Sequence, residues 1–539
     1  MPEKTLNGNQ ALAQGALEAG VKVVASYPGS PASGVVEELI SLATPTQVYL
    51  EWSANEKVSL EVGIGASLAG SRALVCVKSV GMNALIDPLM VVNLTGVHAG
   101  LVILLGDDPG AYGSQNDQDT RPIATFAELP LLEPSTPEEG KAMLMEAFEL
   151  SERYQTLVIV RETRSFSQST GAVEVVPAPR SRPALPMNRE RYRWVPYPRN
   201  AVEKHRELHQ KLERLREWMN TSRFNAREGD GPKGILSAGF AYRKLLDVLG
   251  VERSGLRLLK LGTIYPAPDR VIGDFLEGCE EALVLEENEP YLETQVKAIA
   301  HERGCKTRIL GKHSGHVSWE GELFRWQIQK ALEFFAEGWV PARRYTQAEE
   351  AAERPHRLDY CVGCRYPETL EVLKDAGREL GQDPVLVGDP GCLAKASHIL
   401  DAKYAMGSAV GVAQGMIRAG LRERAVAIFG DSSFFHFALP SLISAVYNQT
   451  PILMLVLDNS ATVTSGFQPN PGSGKSIRGE RAPKLSVEGI SKACGVDFVR
   501  TIGPDAGEEE LRKVFREGLK LDGLGLIVIR KPCERPVGS

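Results

Sequence analysis

The sequence predicts a multi-domain α/β protein built on parallel β-sheets, and three observations carry this prediction. Helical and extended patterns alternate along most of the 539 residues. Strand-length apolar runs, such as residues 452–457, are typical of strands that are buried on both faces. The alternation is broken at residues 177–200, where six prolines interspersed with arginines indicate a linker. Because single cores seldom grow beyond roughly 250–300 residues, we expect about three domains.

The first predicted domain covers residues 1–178. A helix at residues 10–19 precedes a buried strand at residues 21–26, and the sharp turn Tyr27-Pro-Gly-Ser-Pro31 follows that strand. A short strand then leads into a long helix of small residues at 55–69. Further strands are expected at residues 73–78, 100–106 and 156–161. Strands that alternate with helices in this way predict a parallel sheet.

Two more α/β domains are predicted to follow a linker at residues 179–230 that contains a charged helix at 202–220. The middle domain covers residues 231–345, with strands expected at 235–238, 256–261 and 282–286. The third domain covers residues 358–539, with strands expected at 425–429 and 451–457. The helical pattern between these last two strands predicts a strand–helix–strand unit with parallel strands.

The composition is ordinary for a globular protein, with 24% charged and 43% hydrophobic residues. A net charge of −6 gives no reason to expect nucleic acid or an anionic membrane as a partner. No basic segment followed by an apolar one opens the chain, and no apolar run reaches membrane-spanning length. We therefore expect a cytoplasmic protein whose eight cysteines are thiols or metal ligands.

The third domain contains the most informative motif, Gly430-Asp431 followed one strand–helix–strand unit later by Asn459. Two neighbouring parallel strands would bring Asp431 and Asn459 to the same edge of the sheet. Gly430 permits close backbone approach, and the following helix N-terminus favours an anion. Such oxygen ligands suit Mg²⁺ held against a diphosphate, and the spacing is that of thiamine diphosphate enzymes. In the alternative, Asp431 caps a helix and Asn459 closes a turn.

Thiamine chemistry also needs a carboxylic acid beside the aminopyrimidine ring of the cofactor. The segment Glu51-Trp-Ser-Ala-Asn-Glu-Lys57 offers Glu56, at the start of the predicted small-residue helix. Its alternative is structural, because residues Ser53 and Glu56 have the spacing of a capping box. From spacing alone the capping box is the favoured interpretation.

Four cysteines of the third domain stand where a metal could use them: Cys361, Cys364, Cys392 and Cys533. Their pattern is compatible with structural zinc, redox thiols or a [4Fe–4S] cluster, and Cys494 is a rival for the fourth ligand. The polar loop at residues 107–121 is a substrate-binding candidate, although such loops are most often merely solvated. His436 is interpreted as a polar surface residue, with a catalytic base as the alternative.

Together these motifs resemble the alpha subunits of the indolepyruvate ferredoxin oxidoreductases, within the 2-oxoacid:ferredoxin oxidoreductase family. The resemblance runs from about residue 7 to residue 533. The motifs that carry it are residues 27–31, 51–57, 107–110 with 114–116, 361–364, 430–435 and 458–459 with 466–472. This chain departs from the family pattern at Ser79, Phe467 and Asn470, each of which replaces a histidine.

The resemblance implies a pyrimidine-binding first domain, a transketolase-C-terminal-like middle domain and a diphosphate-binding third domain. It makes Glu56 the cofactor-activating acid and places the Ser30 hydroxyl next to the 2-oxoacid. The implied thiamine diphosphate and Mg²⁺ ligands are Gly430, Asp431, Ser432, Ser433, Asn459 and the carbonyl of Ala461. The implied ligands of a [4Fe–4S] cluster are Cys361, Cys364, Cys392 and Cys533.

The expected reaction is oxidative decarboxylation of an aryl pyruvate-like 2-oxoacid to an acyl-coenzyme A. Electrons would pass through the cluster to ferredoxin or another carrier. The family usually continues into a ferredoxin-like tail, and this chain ends at Ser539 before one, so a different electron exit is expected. A homodimer in which the first domain of one copy faces the third domain of the other is predicted, possibly with a smaller gamma-type (beta) subunit. The alternatives are a non-oxidative decarboxylase or carboligase and a cofactor-binding scaffold subunit without turnover.

Overall fold

A computed structural model describes residues 3–177, 186–250, 255–336, 344–354 and 364–533. The chain divides into two compact units, Met1–Leu358 and Asp359–Ser539. Parallel strand pairs dominate the large sheets of both units, which confirms the predicted α/β class. The boundaries predicted at residues 178, 230 and 345 stay predictions. Within the described ranges, none of the helices is both long and apolar enough to cross a membrane.

The first unit alternates strands and helices as its sequence pattern predicts. Among the residues described, its strands are β1 (Glu3–Asn7), β2 (Val23–Ser26), β3 (Tyr49–Trp52), β4 (Ala73–Lys78), β5 (Leu101–Asp107), β6 (Leu131–Leu132), β7 (Val158–Thr163), β8 (Thr170–Glu174), β9 (Ala226–Glu228), β10 (Lys233–Ala238), β11 (Leu256–Leu261), β12 (Thr263–Tyr265), β13 (Glu281–Leu285) and β14 (Arg308–Leu310). Its helices are α1 (Gly8–Glu18), α2 (Ser33–Leu42), α3 (Glu56–Leu68), α4 (Ser79–Met82), α5 (Ile86–Thr95), α6 (Arg121–Phe126), α7 (Pro137–Tyr154), α8 (Arg164–Gln168), α9 (Arg191–Trp194), α10 (Ala201–Asn220), α11 (Gly239–Leu249), α12 (Asp269–Leu276), α13 (Tyr291–Arg303), α14 (Arg325–Phe335) and α15 (Gln347–Glu353).

Two large sheets form the framework of the first unit. The first has the order β12-β6-β7-β5-β4-β2-β3, parallel except for β12, and the second has the order β14-β13-β10-β11-β9, parallel except for β9. Strand β12 comes from the middle of the chain yet pairs with β6. One cluster of buried apolar side chains contains both Val75 of β4 and Leu259 of β11. The first and middle segments therefore share a core.

The second unit is a single doubly wound sheet. Its described strands are β15 (Val385–Gly388), β16 (Ala402–Lys403), β17 (Ala425–Gly430), β18 (Leu453–Asp458), β19 (Phe498–Ile502) and β20 (Gly525–Arg530). Its helices are α16 (Tyr366–Glu379), α17 (Ala409–Arg418), α18 (Asp431–Ser433), α19 (Leu439–Tyr447), α20 (Val487–Ala493) and α21 (Glu508–Leu519). The order is β16-β15-β17-β18-β20-β19, with every pairing parallel.

Side chains alternate between two separate cores across this second sheet. Ile428 packs into one core with Tyr366 of α16, and Phe429 packs into the other with Leu442 of α19. Strands that are buried on both faces need apolar residues at successive positions, since neither face meets water. This requirement explains the continuous apolar runs that predicted β17 and β18.

Candidate active site

Four neighbouring strands of the second unit end at residues with functional side chains. Strands β15, β17, β18 and β20 lie side by side in that order, all parallel. Their carboxyl ends therefore meet at one edge of the sheet, where open α/β sheets bind ligands. The residues that follow them are Cys392, Asp431, Asn459 and Cys533. The adjacency of the strands before Asp431 and Asn459 is confirmed.

Asp431 is the buried carboxylate of this edge. Its side chain is 2% exposed, and the Asn470 amide donates a hydrogen bond to Oδ2 over 2.7 Å. Burial raises the pKa of Asp431 to about 7, an effect that the hydrogen bond from Asn470 opposes and the charge of Asp458 reinforces. A carboxylate held in such a place favours a cation beside it. The structure thus supplies the charged ligand that a divalent metal needs.

Open space lies beside this carboxylate at Gly430. Among the described residues, a Cβ built on Gly430 would meet only the Leu457 carbonyl oxygen, at 4.0 Å. The backbone of Gly430 is extended, with φ of −78°, so the conformation does not itself demand glycine. Absence of a side chain leaves room at the N-terminus of α18, where phosphate oxygens are favoured.

Asn459 connects the candidate diphosphate site to a thiol. Its Oδ1 accepts the Ala461 N–H over 3.2 Å, which closes the turn after β18. Its Nδ2 lies 3.6 Å from Sγ of Cys392. A Mg²⁺ ligand of the predicted site and a ligand of the predicted metal cluster are therefore in contact.

Tyr366 lies close to Asn459 and to two of the thiols, Cys364 and Cys392. Burial raises its pKa above the ordinary range, with further contributions from Cys392, Asp431 and Cys364. A hydrogen bond between Tyr366 and the Asn459 side chain acts in the opposite direction. Cys364 and Cys392 both pack against the core that contains Tyr366. Two of the predicted cluster ligands thus lie on the same face of the sheet.

The remaining cysteines differ in position. The chain reaches Cys533 two residues after Lys531, whose carbonyl oxygen accepts the Tyr366 hydroxyl over 3.4 Å. Cys494 packs against the opposite core of the sheet, which removes it from the group around Tyr366. Cys361 lies outside the described residues.

A second buried carboxylate, Asp389, fixes the loop that carries Cys392. Its oxygens accept the Gly407 N–H at 2.6 Å and the Ala409 N–H at 2.9 Å, at the start of α17. Burial raises its pKa to about 6, while these hydrogen bonds and one from Ser433 oppose that rise. The Ser433 hydroxyl is therefore engaged with Asp389 in this structure.

Glu56 lies at the first position of α3, in the first unit. Asn55, not Ser53, is the N-cap, because its side chain accepts the Val58 N–H over 2.9 Å. The Ser53 hydroxyl instead donates to Glu51 over 2.6 Å. The capping-box alternative for Ser53 and Glu56 is therefore wrong.

The carboxyl group of Glu56 is buried, with 6% of the residue exposed. A Cβ built on Gly81 of α4 would lie 2.6 Å from Glu56 Oε1. Gly81 therefore provides the space that the carboxyl group occupies. A buried acid at a helix N-terminus is a candidate for proton transfer.

Lys78 marks the carboxyl end of the first sheet. Its ammonium group donates to the Gly113 carbonyl over 2.7 Å and lies 3.8 Å from Asp108. Burial lowers the pKa of Lys78, and Asp108 opposes that change. Gly29 lies in the turn that also carries Ser30, and a Cβ built on Gly29 would lie 2.8 Å from Lys78 Cβ. The polar loop and the Ser30 turn therefore meet at the largely buried ammonium group of Lys78.

The interpretation of His436 as a surface residue is wrong. His436 is 7% exposed, within a π-helical turn at residues Phe434–Ala438, and its ring stands edge-on to Phe437. This turn was not predicted, and it interrupts the helix expected between β17 and β18. π-turns of this kind are frequent at functional sites.

Several charged side chains are buried near the carboxyl edge of the first sheet. Arg161 bonds Asp107 and Glu133, each at 2.6 Å, so these charges are paired. The next residue, Glu162, is 1% exposed, and neither of its carboxyl oxygens has a hydrogen-bond partner among the described residues. Burial raises the pKa of Glu162 to about 8. This acid is accordingly protonated below that pH.

Three contacts of the site were missed by sequence reasoning: Asn470 on Asp431, Tyr366 among the thiols, and Asp389 at α17. Asn470 was noticed only as a departure from a family motif. Its position within an irregular loop, 39 residues after Asp431, offered no periodicity to interpret. Asp389 could have been found, because it directly follows β15, whose residues 385–387 form a short apolar run.

Comparison with known proteins matches three stretches of this chain to protein families. Residues 391–529 match the thiamine pyrophosphate enzyme, C-terminal TPP binding domain. Residues 14–227 match the thiamine diphosphate-binding domain of pyruvate flavodoxin/ferredoxin oxidoreductases. Residues 229–335 match the indolepyruvate oxidoreductase domain. The fold and these domains define a thiamine diphosphate-dependent enzyme of the 2-oxoacid oxidoreductase class.

Curated relatives extend over nearly the whole chain. The indolepyruvate oxidoreductase subunit IorA of Pyrococcus abyssi is 35% identical over 565 residues, covering 98% of this chain and 85% of the relative. The subunit of the same name from Methanothermobacter marburgensis is 36% identical over 545 residues, covering 99% of this chain and 87% of the relative. The chain therefore belongs to the indolepyruvate oxidoreductase subunit IorA family, and the resemblance inferred from its motifs is confirmed.

A solved structure shows a more remote likeness. The 2-oxoglutarate:ferredoxin oxidoreductase from Magnetococcus marinus, with 2-oxoglutarate, coenzyme A and succinyl-CoA bound, has a TM-score of 0.47 and 16% identity. The similarity covers 62% of this chain and 65% of that one.

Proposed function

We propose that this chain catalyses the oxidative decarboxylation of an aryl pyruvate-like 2-oxoacid, forms an acyl-coenzyme A and passes electrons through a [4Fe–4S] cluster. The observation that carries the proposal is the 3.6 Å contact between the Asn459 amide and Sγ of Cys392. It brings the thiols next to the residues proposed to hold the cofactor diphosphate. Oxidation by single electrons requires an acceptor close to the reacting carbon, and this arrangement supplies the position for one.

The second unit fits thiamine diphosphate and Mg²⁺. Asp431, Asn459 and the carbonyl of Ala461 would hold the metal, and the backbone at Gly430, Ser432 and Ser433 would hold the diphosphate. The buried Asp431 carboxylate and the open space at Gly430 support this assignment. Bound thiamine diphosphate supplies the nucleophilic carbon for cleavage beside the 2-oxo group.

Glu56 is proposed to hold the proton that the aminopyrimidine ring exchanges. Its burial against Gly81 keeps the carboxyl group away from bulk water and fixes its position. A positioned acid of this kind contributes about 10²- to 10⁴-fold to a rate. The Ser30 hydroxyl and the Lys78 ammonium are proposed to orient the 2-oxoacid, since a buried cation suits the substrate carboxylate.

The cluster is proposed to be held by Cys361, Cys364, Cys392 and Cys533. Cys364 and Cys392 pack on the same core, and the backbone two residues before Cys533 accepts a hydrogen bond from Tyr366. Thiolates bind zinc as readily as iron, but zinc has no redox chemistry. Ferredoxin or another carrier would then take the electrons, and a homodimer with a gamma-type subunit is the proposed assembly.

Metal analysis of anaerobically purified protein tests this proposal. We expect a brown protein with about four irons and matching sulfide. Cys392→Ala should lose the iron, and Cys533→Ala should lose or destabilise it. Cys494→Ala is the matched control and should retain the iron, because Cys494 packs against the opposite core.

The alternative function is non-oxidative decarboxylation or carboligation. Two results together would favour it: wild-type protein carries zinc but no iron or sulfide, and Cys392→Ala loses that zinc. Turnover of any 2-oxoacid by the purified protein would exclude a scaffold subunit without activity.

A further inference from the structure

The helix α10 presents two histidines to a carboxylate on a separate element. His205 and His209 are four residues apart, so they lie on one face of the helix, one turn apart. Their ring centroids are 4.3 Å apart. Nε2 of His205 lies 2.6 Å from Glu128 Oε2, and Nε2 of His209 lies 2.8 Å from Glu128 Oε1. The same nitrogen of each ring therefore faces the same carboxylate.

The three ligand atoms are as close together as a metal requires. One ligand atom from each of Glu128, His205 and His209 lies within 4.8 Å of the others. Zinc bound by nitrogen and oxygen at ~2.0–2.2 Å places its tetrahedral ligands roughly 3.3 Å apart. Small side-chain rotations would open that space, because both imidazoles are at least half exposed.

Glu128 occupies a position where its residue type is unexpected. It follows α6 with a left-handed backbone, φ of 54°, where helices usually end in glycine or asparagine. A glutamate is strained in this backbone conformation, whereas glycine is not. The backbone holds it firmly, since its N–H donates to the Thr125 carbonyl over 3.1 Å. From this turn the side chain reaches α10, where its two carboxyl oxygens contact the two histidines.

We propose that Glu128, His205 and His209 form a binding site for a divalent transition metal, with zinc as the ion the ligands suit best. Two histidines at i and i+4 with one carboxylate are a recurrent zinc-binding set, and water would complete the tetrahedron. The metal would tie α10 to the turn after α6. Both elements belong to the first unit, and this site is separate from the thiols of the second unit.

The alternative is that Glu128 merely accepts two surface hydrogen bonds. Glu128→Gln separates the two, since glutamine still accepts a hydrogen bond from a histidine but is a poor zinc ligand. Because ligating groups contribute at least the tenfold to hundredfold that supporting groups do, we expect zinc affinity to fall by at least tenfold in this variant. Unchanged affinity would overturn the proposal.

The test is zinc titration of the full-length protein by calorimetry, with metal counted after equilibration at micromolar free zinc. Any thiols of the second unit that lack iron would compete for zinc, so the informative quantity is the difference in zinc content between wild type and each variant. We expect the double variant His205→Ala/His209→Ala to hold one zinc fewer per chain than wild type. The control His301→Ala, an exposed histidine on α13, should match wild type.

A second readout concerns stability. Zinc should raise the thermal midpoint of wild type and of His301→Ala above that in chelator, and this rise should be reduced in the double variant. Equal zinc content in wild type and double variant would refute the site. So would an equal thermal response of the two proteins to zinc.

Discussion

The burial of Glu162 predicts how the stability of the first unit depends on pH, and the size of the effect follows from the pKa shift. Burial raises its pKa from 4.5 to about 8. The folded first unit therefore keeps a proton on Glu162 at a pH where the unfolded chain has released it. Since the folded state binds more protons, stability is fully present below the unfolded pKa and falls as the pH rises towards 8. The difference of 3.5 units corresponds to about 5 kcal/mol over the whole range, and to about 3 kcal/mol between pH 5 and pH 8.

The substitution Glu162→Gln removes this titration while keeping the size of the side chain. We expect the loss of unfolding free energy between pH 5 and pH 8 to be smaller in the variant by about 3 kcal/mol. Urea unfolding followed by tryptophan fluorescence is a suitable assay. All six tryptophans lie before residue 340, so the signal reports the first unit alone.

The matched control is Glu138→Gln, an exposed glutamate in the first turn of α7. Its pH dependence should follow that of wild type. If Glu162→Gln showed the same pH dependence as wild type, Glu162 would be ionised in the folded protein. The conclusion that burial keeps this carboxyl group protonated would then be wrong.

Four further predictions concern the active site. Asp431→Ala should abolish Mg²⁺-dependent thiamine diphosphate binding in calorimetry, because the metal loses its charged ligand; unchanged affinity would remove the assignment. Asn470→Ala should weaken that binding by about 10- to 100-fold, since a hydrogen bond to a charged group is worth about 1.5–3 kcal/mol, and no change would show that Asn470 does not support Asp431. Glu56→Gln should bind cofactor normally yet lose about 10²-fold or more in turnover; full activity would exclude proton transfer by Glu56. Gly81→Ala should lower turnover by displacing the Glu56 carboxyl group, whereas Gly65→Ala should not, because its added Cβ would meet no atom of the described residues within 4 Å; equal rates in the two variants would contradict the contact.

The sheet and its edge could be predicted from the sequence because they depend on short-range patterns. Strands β17 and β18 are recognisable as apolar runs that end in polar residues. The helix between them indicates that they lie side by side and parallel, as observed. That adjacency places Asp431 and Asn459 at one edge. The same reasoning gave α10 within one residue of its observed bounds.

The rest of the site depends on contacts that local patterns do not encode. Asn470 reaches Asp431 from an irregular loop, and Tyr366 meets the thiols across the core of the second unit. The capping box failed for a physical reason, because Asn55 is an equally good N-cap and lies closer to the helix. The Glu128 site was missed because its ligands come from two elements, 77 and 81 residues apart.

The most direct test of the proposed function is anaerobic turnover of iron-loaded protein with indolepyruvate, coenzyme A, thiamine diphosphate and Mg²⁺. A viologen dye serves as electron acceptor, and released carbon dioxide is measured in the same sample. We predict two equivalents of one-electron dye reduction for each carbon dioxide, with both signals lost in Asp431→Ala. Carbon dioxide release without dye reduction would contradict the oxidative reaction and identify a non-oxidative decarboxylase.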